Sequence, residues 1–418
     1  MKKWIIGNDS PDEKSLFWWN MIGSAIYAFS SMILTYLTIR VIGADEGGIF
    51  AIGLTLAQMY VYIAYYEMRN FQVTDAKNTY TFTDYHTVKM CNCIIMMLVS
   101  LVYILFKHYE FHKACVIFLV CLYRMLDGYA DVFESQFHKD GRLDIAGKSM
   151  AFRTILSVVV YFVVLIASQN LIWALIWAFI SGCVGILIFN IWIYKDFGEI
   201  HVRFERTKMI GIWKDCLPLF IGMFLWTYLL SASRIAVDDV MTNEYQSYYQ
   251  VLFMPVSVIN LFAGFLIRPS LIVLTEYREQ RDFTSFWRRI GKIILEIIAI
   301  TVICMAGAYI IGIPVLTIIV GVNLSEYRGL LTFLVFAGGF NAVAYILYHV
   351  LTITRSRKSI IIGYSIASLT ALIISRRLTE KLALFGASLS YLLSVAVLTV
   401  IFVICIIHEN RRVEGNDK

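Results

Sequence analysis

The sequence predicts an all-α protein that crosses a membrane about twelve times, because its apolar stretches repeatedly reach the ~20 residues that a spanning helix needs. Of the 418 residues, 59% are hydrophobic and only 16% are charged, and the mean hydropathy is +0.71. Short polar segments separate the apolar stretches. Since the interior of a bilayer offers no partners to free backbone groups, each stretch must form a helix.

The predicted spans fall into two sets of six, divided by the polar segment 195–215. We therefore expect an N-terminal six-helix lobe over residues 1–194, a cytoplasmic linker at 195–215 and a C-terminal six-helix lobe over 216–418. The eleventh span is short, and Arg357 and Arg376 flank it closely. In chain order the spans are 17–41, 48–66, 88–106, 114–134, 150–168, 171–194, 216–237, 246–267, 290–313, 330–351, 359–374 and 382–407.

The distribution of Lys and Arg among the loops predicts the orientation. Basic residues concentrate in cytoplasmic loops, and here they concentrate in alternate loops if both termini are cytoplasmic; Arg69 and Lys89 are counted in one of these loops. The net charge of +6 then reflects topology and not nucleic-acid binding. A basic inner surface also suits anionic membrane lipids.

Several functional classes are disfavoured. The opposite loops are very short, whereas a membrane polysaccharide polymerase or ligase typically needs a large external loop. The 8 cysteines are scattered, mostly in apolar stretches where they act as small hydrophobes, so we expect no metal and no cofactor. The segment 141–149 resembles a phosphate-binding loop, but five residues separate its glycines where that motif has four. Energy should therefore come from an ion gradient or from the substrate gradient.

The fourth span carries the most informative charges. Arg124, Asp127, Asp131 and Glu134 stand at i, i+3, i+7 and i+10, which places them on one helical face. An ionisable group at membrane depth costs about 2.5–3.5 kcal/mol, so the stripe must face water or partners. One interpretation is a wet cavity in which Arg124 binds an anionic group and one of the acids carries a coupling ion. The other is a structural Arg124–Asp127 pair with two acids at the cytoplasmic mouth.

Two further spans contribute candidates. Arg234, in the seventh span, either grips a phosphate or pairs with Asp238 near the external end. In the first span, Asn20 and Tyr27 belong to a polar face at helical spacing. Such faces usually serve helix packing, and a role facing sugars is the alternative.

Residues 40–50, RVIGADEGGIF, resemble the Arg-x-Leu-Gly-x-x-x-x-Gly signature of Wzx-like polysaccharide flippases. These belong to the multidrug/oligosaccharidyl-lipid/polysaccharide exporter superfamily. Segments 68–75, 141–148 and 231–250 are also similar to that group. Relatives that move a lipid-linked peptidoglycan precursor carry Arg and Asp within the first span. Here that span has no charge before Arg40, which disfavours a peptidoglycan substrate.

The resemblance implies two six-helix lobes around a cationic central cavity that opens alternately. It implies translocation of an undecaprenyl-pyrophosphate-linked oligosaccharide from the inner to the outer leaflet of the bacterial cytoplasmic membrane, for O-antigen or capsule synthesis alongside polymerase machinery. Arg124 and Arg234 would hold the pyrophosphate, with H⁺ or Na⁺ as the coupling ion. A multidrug/cation antiporter of the same superfamily, which would favour acids without a facing arginine, is the alternative.

Overall fold

The computed structural model describes residues 5–6, 11–75, 77–354 and 356–416, and within these ranges it contains helices and no strand. The predicted all-α class is confirmed. We number the main helices α1 to α12, as follows: α1 (Glu13–Ile42), α2 (Ala44–Tyr65), α3 (Met68–Thr74), α4 (Phe82–Lys107), α5 (Phe111–Lys139), α6 (Leu143–Ser168), α7 (Leu171–Tyr194), α8 (Arg206–Val240), α9 (Asn243–Glu279), α10 (Phe283–Val320), α11 (Arg328–Ile353) and α12 (Arg357–Asn416).

The described part of the chain holds 10 helical segments that are long and apolar enough to cross a membrane. Helix α5, which carries the charged stripe, is not among them, and α12 is counted once although it contains two predicted spans. The backbone of α12 breaks at Ala383, where φ is 52° and ψ is −137°. The chain reverses there, because the rings of Tyr364 and Phe402, on either side of the break, lie 5.5 Å apart. The protein is therefore a multi-pass membrane protein.

The chain divides into two compact units, Met1–Phe224 and Leu225–Lys418. Unit 1 contains α1 to α7 and the first part of α8, and unit 2 contains the rest. Helix α8 begins at Arg206, well before the predicted start of the seventh span at residue 216. Part of the segment 195–215 is thus helical.

In unit 1, glycines let pairs of helices approach closely. A Cβ atom added to Gly23 of α1 would overlap the carbonyl oxygen of Gly147 of α6, and one added to Gly147 would overlap the carbonyl oxygen of Trp19. Small residues at such crossings allow backbone contact within a membrane. A Cβ atom added to Gly128 of α5 would overlap the Cβ atom of Ala64 of α2. These contacts bring α1, α2, α5 and α6 together around the site described below.

In unit 2, α11 packs against two helices through adjacent glycines. Gly338 faces Val256 of α9, and Gly339 faces Thr301 of α10. A half-buried amide pair joins α9 and α11, since Asn341 Nδ2 donates to Asn260 Oδ1 at 2.8 Å.

Candidate functional site

The charged face of α5 enters a chain of ion pairs that begins at Arg124. Arg124 Nη1 lies 3.0 Å from Asp127 Oδ2. The same carboxylate pairs with Arg153 of α6. Arg153 also pairs with Glu134, which lies about two helical turns after Asp127 in α5. The distance from Arg153 Nη2 to Glu134 Oε1 is 3.3 Å. Arg153 therefore bridges two acids of the stripe.

The chain continues through cations from two other helices. Arg69 of α3 lies 3.9 Å from Glu134 and 3.3 Å from Asp131. Lys89 of α4 closes the chain, because its Nζ lies 2.9 Å from Asp131 and donates to the carbonyl oxygen of Tyr65 at 3.1 Å. Each of the three acids of α5 thus has two cationic partners.

The signs along this chain alternate and end on a cation at both ends. We call these seven residues the ion-pair chain; in order they are Arg124, Asp127, Arg153, Glu134, Arg69, Asp131 and Lys89. With four cations against three acids, it carries one surplus positive charge when all seven groups are ionised.

Burial differs sharply among the four cations. The side chains of Arg124, Arg153 and Lys89 are 2%, 5% and 0% exposed, whereas that of Arg69 is 33% exposed. Buried charges are tolerated when they are paired and hydrogen-bonded, which explains the dense pairing. Arg69 is the cation of the chain with the best access to a ligand.

The ion-pair chain borders a cavity of about 340 Å³ in unit 1. Tyrosines form part of its wall, with the hydroxyl oxygens of Tyr27 and Tyr65 3.2 Å apart. The cavity combines charged, amide and aromatic groups, which suits a polar ligand with an anionic part. Its lining consists of Ser24, Tyr27, Tyr62, Tyr65, Glu67, Arg69, Asn70, Asp127, Asp131, Glu134, Met150, Arg153 and Met223.

The structure brings four of the sequence candidates to this cavity, namely Tyr27, Asp127, Asp131 and Glu134. Arg124 is not part of the lining but contacts a residue that is: its guanidinium carbon is 5.4 Å from the centroid of the Tyr27 ring. The guanidinium group also donates to the hydroxyl oxygen of Ser31 of α1.

Asn20 and Arg234 lie elsewhere. Asn20 belongs to the crossing of α1 and α6, where its backbone nitrogen faces Gly147. Arg234 is buried in unit 2 and donates to the carbonyl oxygen of Leu230 at 3.2 Å and to Gln250 Oε1 at 3.4 Å. Its guanidinium carbon stands 4.9 Å from the centroid of the Phe253 ring. These partners are all neutral.

Three cations of the chain were missed by reasoning from the sequence. Arg153 lies inside the predicted span 150–168, so the rule that flags charges at membrane depth would have found it. Arg69 and Lys89 were assigned to a cytoplasmic loop. The structure instead places both residues in helices, α3 and α4, and buries the side chain of Lys89 against Asp131.

Among the described residues, no group of His, Cys, Asp and Glu is placed to hold a metal ion. The segment 141–149 forms a turn and the first part of α6, and Gly147 serves helix packing.

No protein-family model and no curated protein sequence matches the chain. Solved structures do. A multidrug resistance MATE family transporter of the MOP superfamily, in an inward-facing conformation, matches with a TM-score of 0.64 at 11% identity, over 95% of this chain and 98% of that chain. The lipid II flippase MurJ, in an inward closed conformation, matches with a TM-score of 0.66 at 12% identity, over 92% of this chain and 87% of that chain.

A third match is a MOP superfamily transporter from Pyrococcus furiosus, for which a reverse polarity of the binding pocket suggests a different function. It has a TM-score of 0.52 at 13% identity, over 100% of this chain and 97% of that chain. At such low identity these matches establish the fold. The chain has the fold of MOP superfamily transporters, and the predicted resemblance is confirmed at that level.

Proposed function

We propose that the protein is a flippase that moves an undecaprenyl-pyrophosphate-linked oligosaccharide from the inner to the outer leaflet of the bacterial cytoplasmic membrane by alternating access. The observation that carries this proposal is the ion-pair chain, with its surplus cation, beside a polar cavity. Buried charges are expensive in a membrane protein and persist mainly where a function uses them.

Arg69 and Arg153 are the groups we assign to the pyrophosphate. Both line the cavity, and a guanidinium offers paired N–H donors that match phosphate oxygens. Arg69 holds its two acids at 3.3 and 3.9 Å and is partly exposed, so exchanging them for phosphate oxygens costs little. Asp131 and Glu134 would keep their pairs with Lys89 and Arg153 during that exchange.

The remaining wall fits a sugar. Tyr27, Tyr62 and Tyr65 offer ring faces and hydroxyl groups, and Asn70 offers an amide. Ligand pockets for small molecules start at roughly 300 Å³, so the cavity accommodates the pyrophosphate and the first sugar, while the lipid tail remains in the bilayer.

Arg124 and Arg234 take different parts in this proposal. Arg124 positions Asp127 and, through it, Arg153, and it stacks on Tyr27. Arg234 is a second candidate for a phosphate, because its guanidinium is buried and donates to two neutral groups, Gln250 Oε1 and the carbonyl oxygen of Leu230. Surface polysaccharide synthesis is the setting that this substrate implies, with both termini in the cytoplasm and polymerase machinery as the expected partner.

Short connections between helices argue for transport and against an enzyme. Successive helices are joined by Gly43 and by residues 108–110, 169–170 and 241–242. A polymerase or ligase site on a substantial external loop has no room in such connections.

A strain that lacks its own O-antigen flippase tests the proposal. Expression of this chain should restore surface glycan when the glycan of the strain matches the substrate. Spheroplasts provide a second readout, since the lipid-linked oligosaccharide should become accessible to an impermeant lectin. Expression in the membrane without either effect, for a panel of glycans, would contradict the proposal.

A multidrug/cation antiporter is the second candidate, because acids line the cavity and a MATE transporter shares the fold. Each acid of α5, however, is already paired with two cations, which leaves no carboxylate of that helix free for a cationic drug. Energy-dependent efflux of ethidium by cells that express the protein would favour this alternative.

A further inference from the structure

One carboxylate of the cavity stands outside the ion-pair chain. Glu67 lines the cavity between α2 and α3, and its hydrogen-bond partner is neutral, since Asn70 Nδ2 donates to Glu67 Oε2 at 3.1 Å. Asp127, Asp131 and Glu134 each have two cationic partners. Glu67 is therefore the acid of this cavity that can change its charge without breaking an ion pair of the chain.

The backbone holds Glu67 in an uncommon conformation. Tyr66 and Glu67 are successive non-glycine residues in the left-handed region, with φ of 48° and 51°. Such strain persists only where surrounding contacts impose it, and it concentrates at functional sites. Here the Tyr66 ring stacks on Phe220 of α8 at 4.4 Å, and the Tyr66 N–H donates to the carbonyl oxygen of Tyr62 at 2.8 Å.

The break between α2 and α3 has a direct consequence for the site. It ends α2 at Tyr65 and starts α3 at Met68, so that Glu67 and Arg69 both line the same cavity, two residues apart. Glu67 and Arg69, the most accessible cation of the ion-pair chain, thus lie beside the same cavity.

Charged and titratable groups from several helices surround Glu67. Two of them, Asp131 and Lys89, are paired with each other at 2.9 Å. A proton suits this position better than a metal ion, because hard cations need several oxygen ligands, whereas Glu67 binds the N–H donor of Asn70. The facing groups are Asp131 of α5, Lys89 of α4, Tyr62 of α2, Cys216 of α8 and Arg69 of α3.

We propose that Glu67 is a proton-binding site linked to the anion site, so that a pyrophosphate binds Arg69 and Arg153 together with a proton on Glu67. This inference rests on the proposed function. An ionised Glu67 repels the phosphate and competes with it for Arg69, whereas a protonated Glu67 leaves the surplus positive charge to the ligand. By reciprocity, the ligand raises the proton affinity of Glu67 as much as the proton raises the ligand affinity.

The sign of the pH dependence follows. Affinity for the anion is highest when Glu67 is protonated, at low pH, and it falls as the pH rises through the titration of this carboxyl. The coupling acid is then Glu67 and not Asp127, Asp131 or Glu134. Protonation of Asp127 or Asp131 would leave Arg124 or Lys89 buried without its acidic partner, and protonation of Glu134 would break the ion pair with Arg153.

The test uses purified full-length protein and a water-soluble, short-prenyl pyrophosphate diester of a single sugar, a probe whose charge does not change near neutral pH. Calorimetric titrations at a series of pH values, in buffers of different ionisation enthalpy, give the affinity and the number of protons taken up. Wild-type protein should bind more weakly as the pH rises and should take up protons on binding. Glu67→Gln should bind at high pH as tightly as wild type does at low pH, about tenfold tighter than wild type at high pH, without proton uptake.

Glu46→Gln is the matched control. Glu46 lies at the opposite end of α2, where it pairs with His112 at 2.8 Å, away from the cavity lining. This variant should keep the wild-type pH dependence. If Glu67→Gln also keeps it, the inference is overturned while the proposed function stands. If wild-type protein fails to bind the probe at every pH, both are overturned.

Discussion

Lys89 and Asp131 form an ion pair of 2.9 Å that is almost completely shielded from solvent, with side-chain exposures of 0% and 8%. The pair joins α4 to α5 at one end of the ion-pair chain. Removing one partner of a buried pair leaves an uncompensated charge, which is far more costly than removing both.

Asp131→Leu should therefore destabilise the protein by about 3–5 kcal/mol, because it leaves the ammonium group of Lys89 buried without its acidic partner. The double variant Lys89→Met/Asp131→Leu should recover a large part of that loss, because it buries no lone charge. Unfolding in detergent, followed by circular dichroism against denaturant, measures both. Lys292→Met is the control, since Lys292 is 63% exposed and 4.0 Å from Glu296, so its loss should change little. Equal stability of the single variant and wild type would contradict the assigned pairing.

Arg69→Ala should separate transport from folding. Arg69 is partly exposed and holds its acids loosely, so the substitution should cost at most about 1 kcal/mol of stability. Loss of its guanidinium should nevertheless lower the rate of glycan export at least tenfold, if it contacts the pyrophosphate. The rate of glycan export is measured in a complemented flippase-null strain and normalised to the amount of the protein in the membrane. Arg203→Ala, at a side chain that is 73% exposed, should export like wild type; comparable export by Arg69→Ala would remove Arg69 from the site.

Gly147→Leu should disrupt the crossing of α1 and α6. A Cβ atom at Gly147 would overlap backbone atoms of Trp19. Backbone atoms cannot move aside as the end of a flexible side chain can. Overpacking of this kind costs typically about 1–3 kcal/mol. Gly291→Leu provides the comparison, because nothing lies within 4 Å of a Cβ atom built there. Melting temperatures of the two variants should differ clearly; identical values would argue against the close approach.

Asp75, in the loop after α3, should contribute a pH-dependent stability. Partial burial acts to raise the pKa of its carboxyl, but hydrogen bonds from the backbone N–H groups of Tyr80 and Thr79 outweigh that effect and lower it. A lowered pKa in the folded state means that the stabilisation is present above the unfolded pKa of about 3.9 and is lost as the pH falls through the folded value. Asp75→Asn should thus be less stable than wild type at neutral pH and equal to it in strong acid. Unfolding curves across that range check this; a constant difference would refute it.

Ala383→Gly should stabilise the protein. Ala383 has φ of 52° and ψ of −137°, a conformation that glycine adopts without the steric cost of a Cβ atom. Strain of this kind is worth about 1–3 kcal/mol. Ala387→Gly, at a buried position of the helix that follows, should instead destabilise the protein by about 1 kcal/mol. Opposite shifts in melting temperature are the expected result, and a lower melting temperature for Ala383→Gly would count against the strained turn.

Hydropathy and helical periodicity are sufficient to predict that the chain is helical and that α5 has a charged face. The stripe from Arg124 to Glu134 lies on one face because its spacing requires it, and the structure places three of its acids along one cavity. Composition along a single helix could not reveal the partners of those acids. Lys89 looked interfacial because it begins an apolar stretch, and only the packing of α4 against α5 shows that Asp131 neutralises it.

Other differences also arise from contacts between distant segments. Asn20 and Tyr27 share the polar face of α1, yet Asn20 lies against Gly147 of α6, whereas Tyr27 lines the cavity. Glu67 reads as an ordinary residue at the end of an apolar stretch. Its significance comes from the left-handed backbone and from the cations that bind the other acids, neither of which the sequence displays.

The reversal at Ala383 has a practical and a biosynthetic consequence. A turn that uses a single residue leaves the last two spans without a connecting segment that a protease, an antibody or an inserted tag could reach. Their polar backbone groups are satisfied within each helix, so the two spans can enter the bilayer together as one hairpin, and an insertion at residue 383 would force them apart.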